Sequence, residues 1–182
     1  MPLITTGTER LMLENMLDRN RRALIDTAQE LSDADARRRL VASLTTPIGR
    51  RAIKHAAQAE RIWFQRILLG LGESECDGYA TPDDGTFLLA DGETLADVIG
   101  EFERASERSR VIAADFELDD TKTHPRAGDV NLRFIYLILI EDFARHAGHG
   151  DILREQIIAS PATPARSTVR PRPSTYSPPW RP

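Results

Sequence analysis

The stretch from Asn131 to Ala159 sets Ile135, Leu139, Leu153 and Ile157 on one face at helical spacing, with Asp142, His146 and His149 in the middle of the same stripe. A helix with an apolar stripe has to bury it against a neighbour. Ionisable side chains within that stripe then point at the core. There they need partners, since an unpaired buried polar group costs on the order of 2–7 kcal/mol. The spacing thus calls for companion helices and for something that satisfies a polar trio between them.

The companions are present. Leu11, Leu13, Met16, Leu17, Leu24, Ile25, Ala28 and Leu31 predict a first helix over Thr8–Leu31. A short piece, Ser32–Leu40, opens on Ser-Asp-Ala-Asp, a capping sequence. A second helix starts after Pro47 and runs to about Leu69, where Gly70 stops it. A third spans Thr94–Phe116, with Leu95, Val98, Ile99, Phe102, Ser106, Ser109 and Ile112 on one stripe. The segments 70–92 and 117–129 read as loops, and no stretch alternates cleanly as a strand. Four long helices make an all-α four-helix bundle over residues 1–159. The last 23 residues carry seven of the eleven prolines, which oppose helix, so 160–182 is expected to be a disordered proline- and arginine-rich tail.

Composition closes off several functional classes. The net charge is −4, which gives no electrostatic case for nucleic acid. The longest apolar run, Phe134–Ile140, is too short to span a bilayer. The amino-terminal MPLITTGTERLMLEN lacks the basic start and apolar core of a secretory signal, and the lone Cys76 allows no internal disulfide, so a cytoplasmic protein is expected. Cys76 lies among Glu73, Glu75 and Asp77, which disfavour a thiolate, so it is not read as a nucleophile. No Walker sequence, glycine-rich phosphate loop or Ser-His-Asp order is present.

The chemistry concentrates on the fourth helix. Asp142 and His146 are one turn apart and His149 follows three residues later. On the second helix His55 shares a face with Ile48, Ala52, Ala59 and Ile62, where small alanines would let a facing helix approach. Two imidazoles and a carboxylate from two helices would hold a divalent ion and leave a coordination position open, as catalytic zinc sites do and as non-haem iron sites also can. Spacing alone does not choose among Asp142, His146 and His149, and a hydrogen-bonded His–Asp pair without metal satisfies the same pattern. Trp63 and Phe64 read as core, with a pocket wall as the alternative, Arg145 as a surface partner of Glu141, and His124 as an exposed loop residue.

Three segments, SLTTPIGRRAIKHAAQAERIWF, DGETLADVIGEFERASERSRVIAA and VNLRFIYLILIEDFARHAGHGDILRE, together resemble the DinB-like superfamily and, within it, the group catalogued as DUF664. The resemblance covers roughly residues 9–158, and its most specific part is the last segment. It implies an up-down-down-up four-helix bundle with a metal held by one residue of the second helix and two of the fourth, which fall here on His55, Asp142 and His146. Many relatives carry histidine at the place of Asp142, and the maleylpyruvate isomerase branch carries glutamate. His149 falls where other branches carry glutamine, which implies a catalytic or substrate-facing role.

The resemblance also implies an activity. Members with assigned reactions use a small thiol such as mycothiol, so a metal-dependent thiol S-transferase or isomerase acting on an electrophilic small molecule is expected. Zinc is the expected ion, with nickel, manganese and iron as alternatives. A non-catalytic metal-binding stress-response protein and a metal-free bundle are the competing readings. A homodimer is compatible with a bundle of this size.

Overall fold

The computed structural model describes residues 1–29, 31–38, 50–82 and 92–159. The expected start of the second helix after Pro47, part of the 70–92 loop, and the tail at 160–182 lie outside the described residues. Four helices dominate: α1 (Glu9–Asp26), α2 (Arg50–Glu60), α3 (Leu95–Ala113) and α4 (Leu132–Ala159). Among the described residues of the Ser32–Leu40 piece a short 3-10 turn forms, at Asp35–Arg37.

Caps fix where the helices begin. The Thr8 hydroxyl accepts from the Leu11 amide at 3.3 Å and opens α1. Thr94 and Asp97 form a reciprocal capping box on α3: the Asp97 amide donates to Thr94 Oγ1 at 3.1 Å, and the Thr94 amide donates to Asp97 Oδ2 at 2.9 Å. α1 ends earlier than its periodicity predicts. The Thr27 hydroxyl donates to the Leu24 carbonyl at 2.7 Å, and the chain continues in i→i+3 bonds from Ala28 to Leu31 instead of helical ones.

α2 does not end at Glu60. It continues without a break as a π-helical stretch, Arg61–Leu68, in which the Leu69 amide reaches back five residues to the Phe64 carbonyl at 3.0 Å. The expected end at Leu69–Gly70 therefore holds, but the last turns are wider than α.

The second difference lies between α3 and α4, in the segment read as a loop. It contains an antiparallel hairpin, β1 (Thr121–His124) with β2 (Gly128–Asn131), in which Thr121 pairs with Asn131 and His124 with Gly128. Three residues, Pro125, Arg126 and Ala127, make the loop, and Gly128 closes it at φ 75°, a left-handed conformation that glycine adopts without strain. Both strands are almost wholly polar, so hydropathy gives no sign of them; only Val130 is buried.

α1 packs chiefly against α4, and α2 chiefly against α3, while α2 also meets α4. One core joins them through Leu17, Leu24, Ile53, Phe64, Phe102, Ile135, Leu139 and Phe143. Among the described residues no helix is long and apolar enough to cross a membrane. The core includes a buried ion pair: Arg21 of α1 meets Glu60 of α2 in bidentate fashion, Nε–Oε1 at 2.7 Å and Nη2–Oε2 at 2.8 Å. Glu60 is fully buried and Arg21 is 5% exposed.

Candidate metal centre

The stripe predicted on α4 faces the interior: Ile135, Leu139, His146, Leu153 and Ile157 are all buried. His55 enters from α2 between Ala52, Ala56 and Ala59, whose small side chains let α4 come close. The two helices bring three donors together. His55 Nε2 lies 3.7 Å from Asp142 Oδ2, His146 Nε2 lies 3.4 Å from Asp142 Oδ1, and one donor atom from each residue falls within 4.8 Å of the others. The two imidazole rings meet edge to face, centroids 5.1 Å apart.

The His146–Asp142 separation matches that of two ligands on one ion, while the His55 contact is longer and goes to the other carboxylate oxygen. Ligands at about 2.0–2.1 Å from a tetrahedral centre stand about 3.3–3.4 Å apart. The donor chemistry agrees, since imidazole nitrogen and carboxylate oxygen are the usual ligands of zinc and of open non-haem iron sites. His55, Asp142 and His146 form a group that could bind a metal ion. Burial opposes the charge on Asp142, but the hydrogen bonds and charges of His146 and His55 outweigh it and hold the carboxyl well below the ordinary carboxylate range. The aspartate therefore presents an ionised oxygen at neutral pH, the state a metal ligand needs.

His149 stands apart from this group. It is half-buried on the next turn of α4, its ring 6.4 Å from that of His146. The Nδ1 atoms of His146 and His149 are both buried and have no hydrogen-bond partner among the described residues. Glu141, one position round the helix, pairs with Arg145 in an exposed i,i+4 ion pair, as read from the sequence.

A pocket of about 400 Å³ opens against His55 and Asp142. Its walls correct one expectation and extend another. Phe64 is core, fully buried; Trp63 packs against the core as expected and also lines the pocket. His124 is not a free loop residue. The hairpin lays its ring on Trp63, centroids 5.0 Å apart and planes 19° from parallel, and both line the pocket. Phe134 closes on Trp63 edgewise at 5.9 Å. The amides of Arg126 and Ala127 donate to His124 Nδ1 at 3.2 and 3.0 Å, so the neutral ring carries its proton on Nε2. No sequence signal pointed to His124, because its partner lies 61 positions away across a hairpin with no hydropathy pattern. Cys76 lies off this pocket, and burial together with Asp77 and Glu73 pushes its thiol up against the pull of Arg66 and Arg61.

Compared with known families, the sequence model of the mycothiol S-transferases matches residues 12–159. The chain belongs to that family. The match ends at the last residue of α4. No curated protein and no solved structure matched the chain.

Proposed function

We propose that the protein is a zinc-dependent S-transferase that joins mycothiol to an electrophilic small molecule, with His55, Asp142 and His146 holding the ion. The observation that carries this reading is the convergence of three donors from two helices at the edge of a pocket of about 400 Å³. When bound, a divalent ion supplies Lewis acidity that stabilises a thiol as its thiolate at neutral pH. Asp142 supplies the one negative charge among the three ligands, and the two imidazoles leave the site with net positive charge for an incoming thiolate. The pocket walls hold the electrophile and keep water from it. His149 is proposed to act on the reaction through its neighbour His146, as a positioning residue.

The reaction breaks the thiol S–H bond and the electrophile's carbon–leaving-group bond and forms a C–S bond, and the proton and the leaving group pass to solvent. The test is direct: purified protein, loaded with zinc, is incubated with mycothiol and a panel of alkylating electrophiles, and the thioether is followed by mass spectrometry. The expected result is turnover that disappears in His55→Ala and His146→Ala, with His149→Ala slowed but still metal-loaded. Absence of thioether from wild type across the panel would favour a metal-binding protein without turnover.

A further inference from the structure

Both faces of α4 carry apolar side chains. The inner face, with Ile135, Leu139, Phe143, Leu153 and Ile157, is the core stripe. On the outer face Leu137, Glu141, Ala144, Gly148, Ile152 and Glu155 follow at helical spacing, and all are exposed. Four of the eleven large apolar side chains exposed among the described residues belong to this one helix: Phe134, Leu137, Ile152 and Ile158. A surface helix normally confines its apolar residues to one stripe, and a helix apolar on both sides is buried on both. The outer face of α4 therefore calls for a cover.

The charges on this face match themselves. Glu141 and Arg145 stand towards its start and Glu155 towards its end, with Gly148 and Ile152 between them. We propose that the outer face of α4 is a two-fold interface with a second copy of this chain, the two α4 helices running antiparallel and crossing at the level of Gly150. Across such an axis, residues equally far on either side of the centre meet, and each contact occurs twice. Arg145 of each copy then meets Glu155 of the other. Ile152 of each packs beside Gly148 of the other, where a Cβ would meet nothing within 4 Å in the single chain. Glu141 falls opposite Ala159, the last residue of α4, so no two like charges stand directly opposite. Arg145 is free to turn, because its pair with Glu141 is exposed on both sides and such i,i+4 pairs are weak. The interface is one helix wide, which places it among those that exchange with monomer on dilution.

Sedimentation velocity of the full chain over a series of concentrations reads this equilibrium. Wild type is expected to pass from monomer to dimer. Ile152→Glu should abolish the dimer. Ile158→Glu should leave it intact: Ile158 is as exposed as Ile152, 58% each, but lies off the face. Arg145→Glu puts two like charges together at both ends of the interface and should raise the dimer Kd about tenfold or more. Combining it with Glu155→Arg should bring the Kd back. Far-ultraviolet circular dichroism checks that each variant, changed only at exposed positions, keeps its helices. A wild type that stays monomeric at every concentration leaves the face to some other partner and overturns the proposal. A dimer that survives Ile152→Glu, one lost equally in Ile158→Glu, or a charge reversal that the double variant fails to rescue also overturns it.

Discussion

Asp142 shows how one side chain can serve both folding and chemistry. Its carboxyl titrates below the ordinary range although it is half-buried, because His146 and His55 face it. For the metal-free protein the sign follows: a carboxyl lowered on folding contributes stability above its unfolded value of about 3.9, and loses it as pH falls through the lower folded value. Wild type should therefore exceed Asp142→Asn in chemical denaturation at pH 5, and the gap should close as the pH drops below about 3.9; a gap independent of pH would contradict this.

Arg21 and Glu60 make a second residue-scale case. Breaking a buried pair costs more than the pair is worth, so Glu60→Leu alone should lose about 3–5 kcal/mol, and Arg21→Met with Glu60→Leu should recover much of it. A double-mutant cycle in urea checks both. Arg21 was legible in principle, since it interrupts the stripe Leu17, Leu24 of α1, and a charge on a core stripe announces a buried partner. The three donors were legible as residue types and spacing, but spacing left His149 level with the others; the choice of His55, Asp142 and His146 came from resemblance, and the geometry brings those three together as a group that could bind a metal.

At the scale of elements, the helices were readable because caps and periodicity agree: Thr8 and Thr94 stand where the periodic stripes begin. The hairpin was not, because Thr-Lys-Thr-His and Gly-Asp-Val-Asn present polar residues on both faces and their pairing is made by backbone. The π-helical stretch leaves no compositional mark at all. Close helix approach is also invisible in sequence, yet it is testable. A Cβ on Gly150 of α4 would fall 2.7 Å from Thr27 Oγ1 and 2.8 Å from Thr27 Cβ, whereas a Cβ on Gly148 would meet nothing within 4 Å. Overpacking of about 1–3 kcal/mol outweighs the gain of about 1 kcal/mol in helix propensity, so Gly150→Ala should be destabilising by up to about 2 kcal/mol. Gly148→Ala should be neutral or stabilising by up to about 1 kcal/mol. Thermal melts of the pair decide it, at about 2–4 °C per kcal/mol for a chain of this size.

Across the whole molecule, the contact of α2 with α4 matters most, because it carries His55 to residues 87 and 91 positions further along the chain, and the hairpin lines the same pocket with His124 and Arg126. The packing partners of the helices were not readable from periodicity, which says that a face is buried and not against what. A bound ion would also clamp α2 to α4, adding about 4 kcal/mol of stability at a free concentration of about 1,000 Kd. The most direct test is to load the protein with cobalt(II) and follow its visible and near-ultraviolet spectrum as mycothiol is added. The site described here predicts one cobalt per chain with tetrahedral-type bands and a new sulfur-to-cobalt charge-transfer band on addition of the thiol, both absent from His146→Ala. A protein that takes up no cobalt, or whose cobalt spectrum ignores mycothiol, would contradict it.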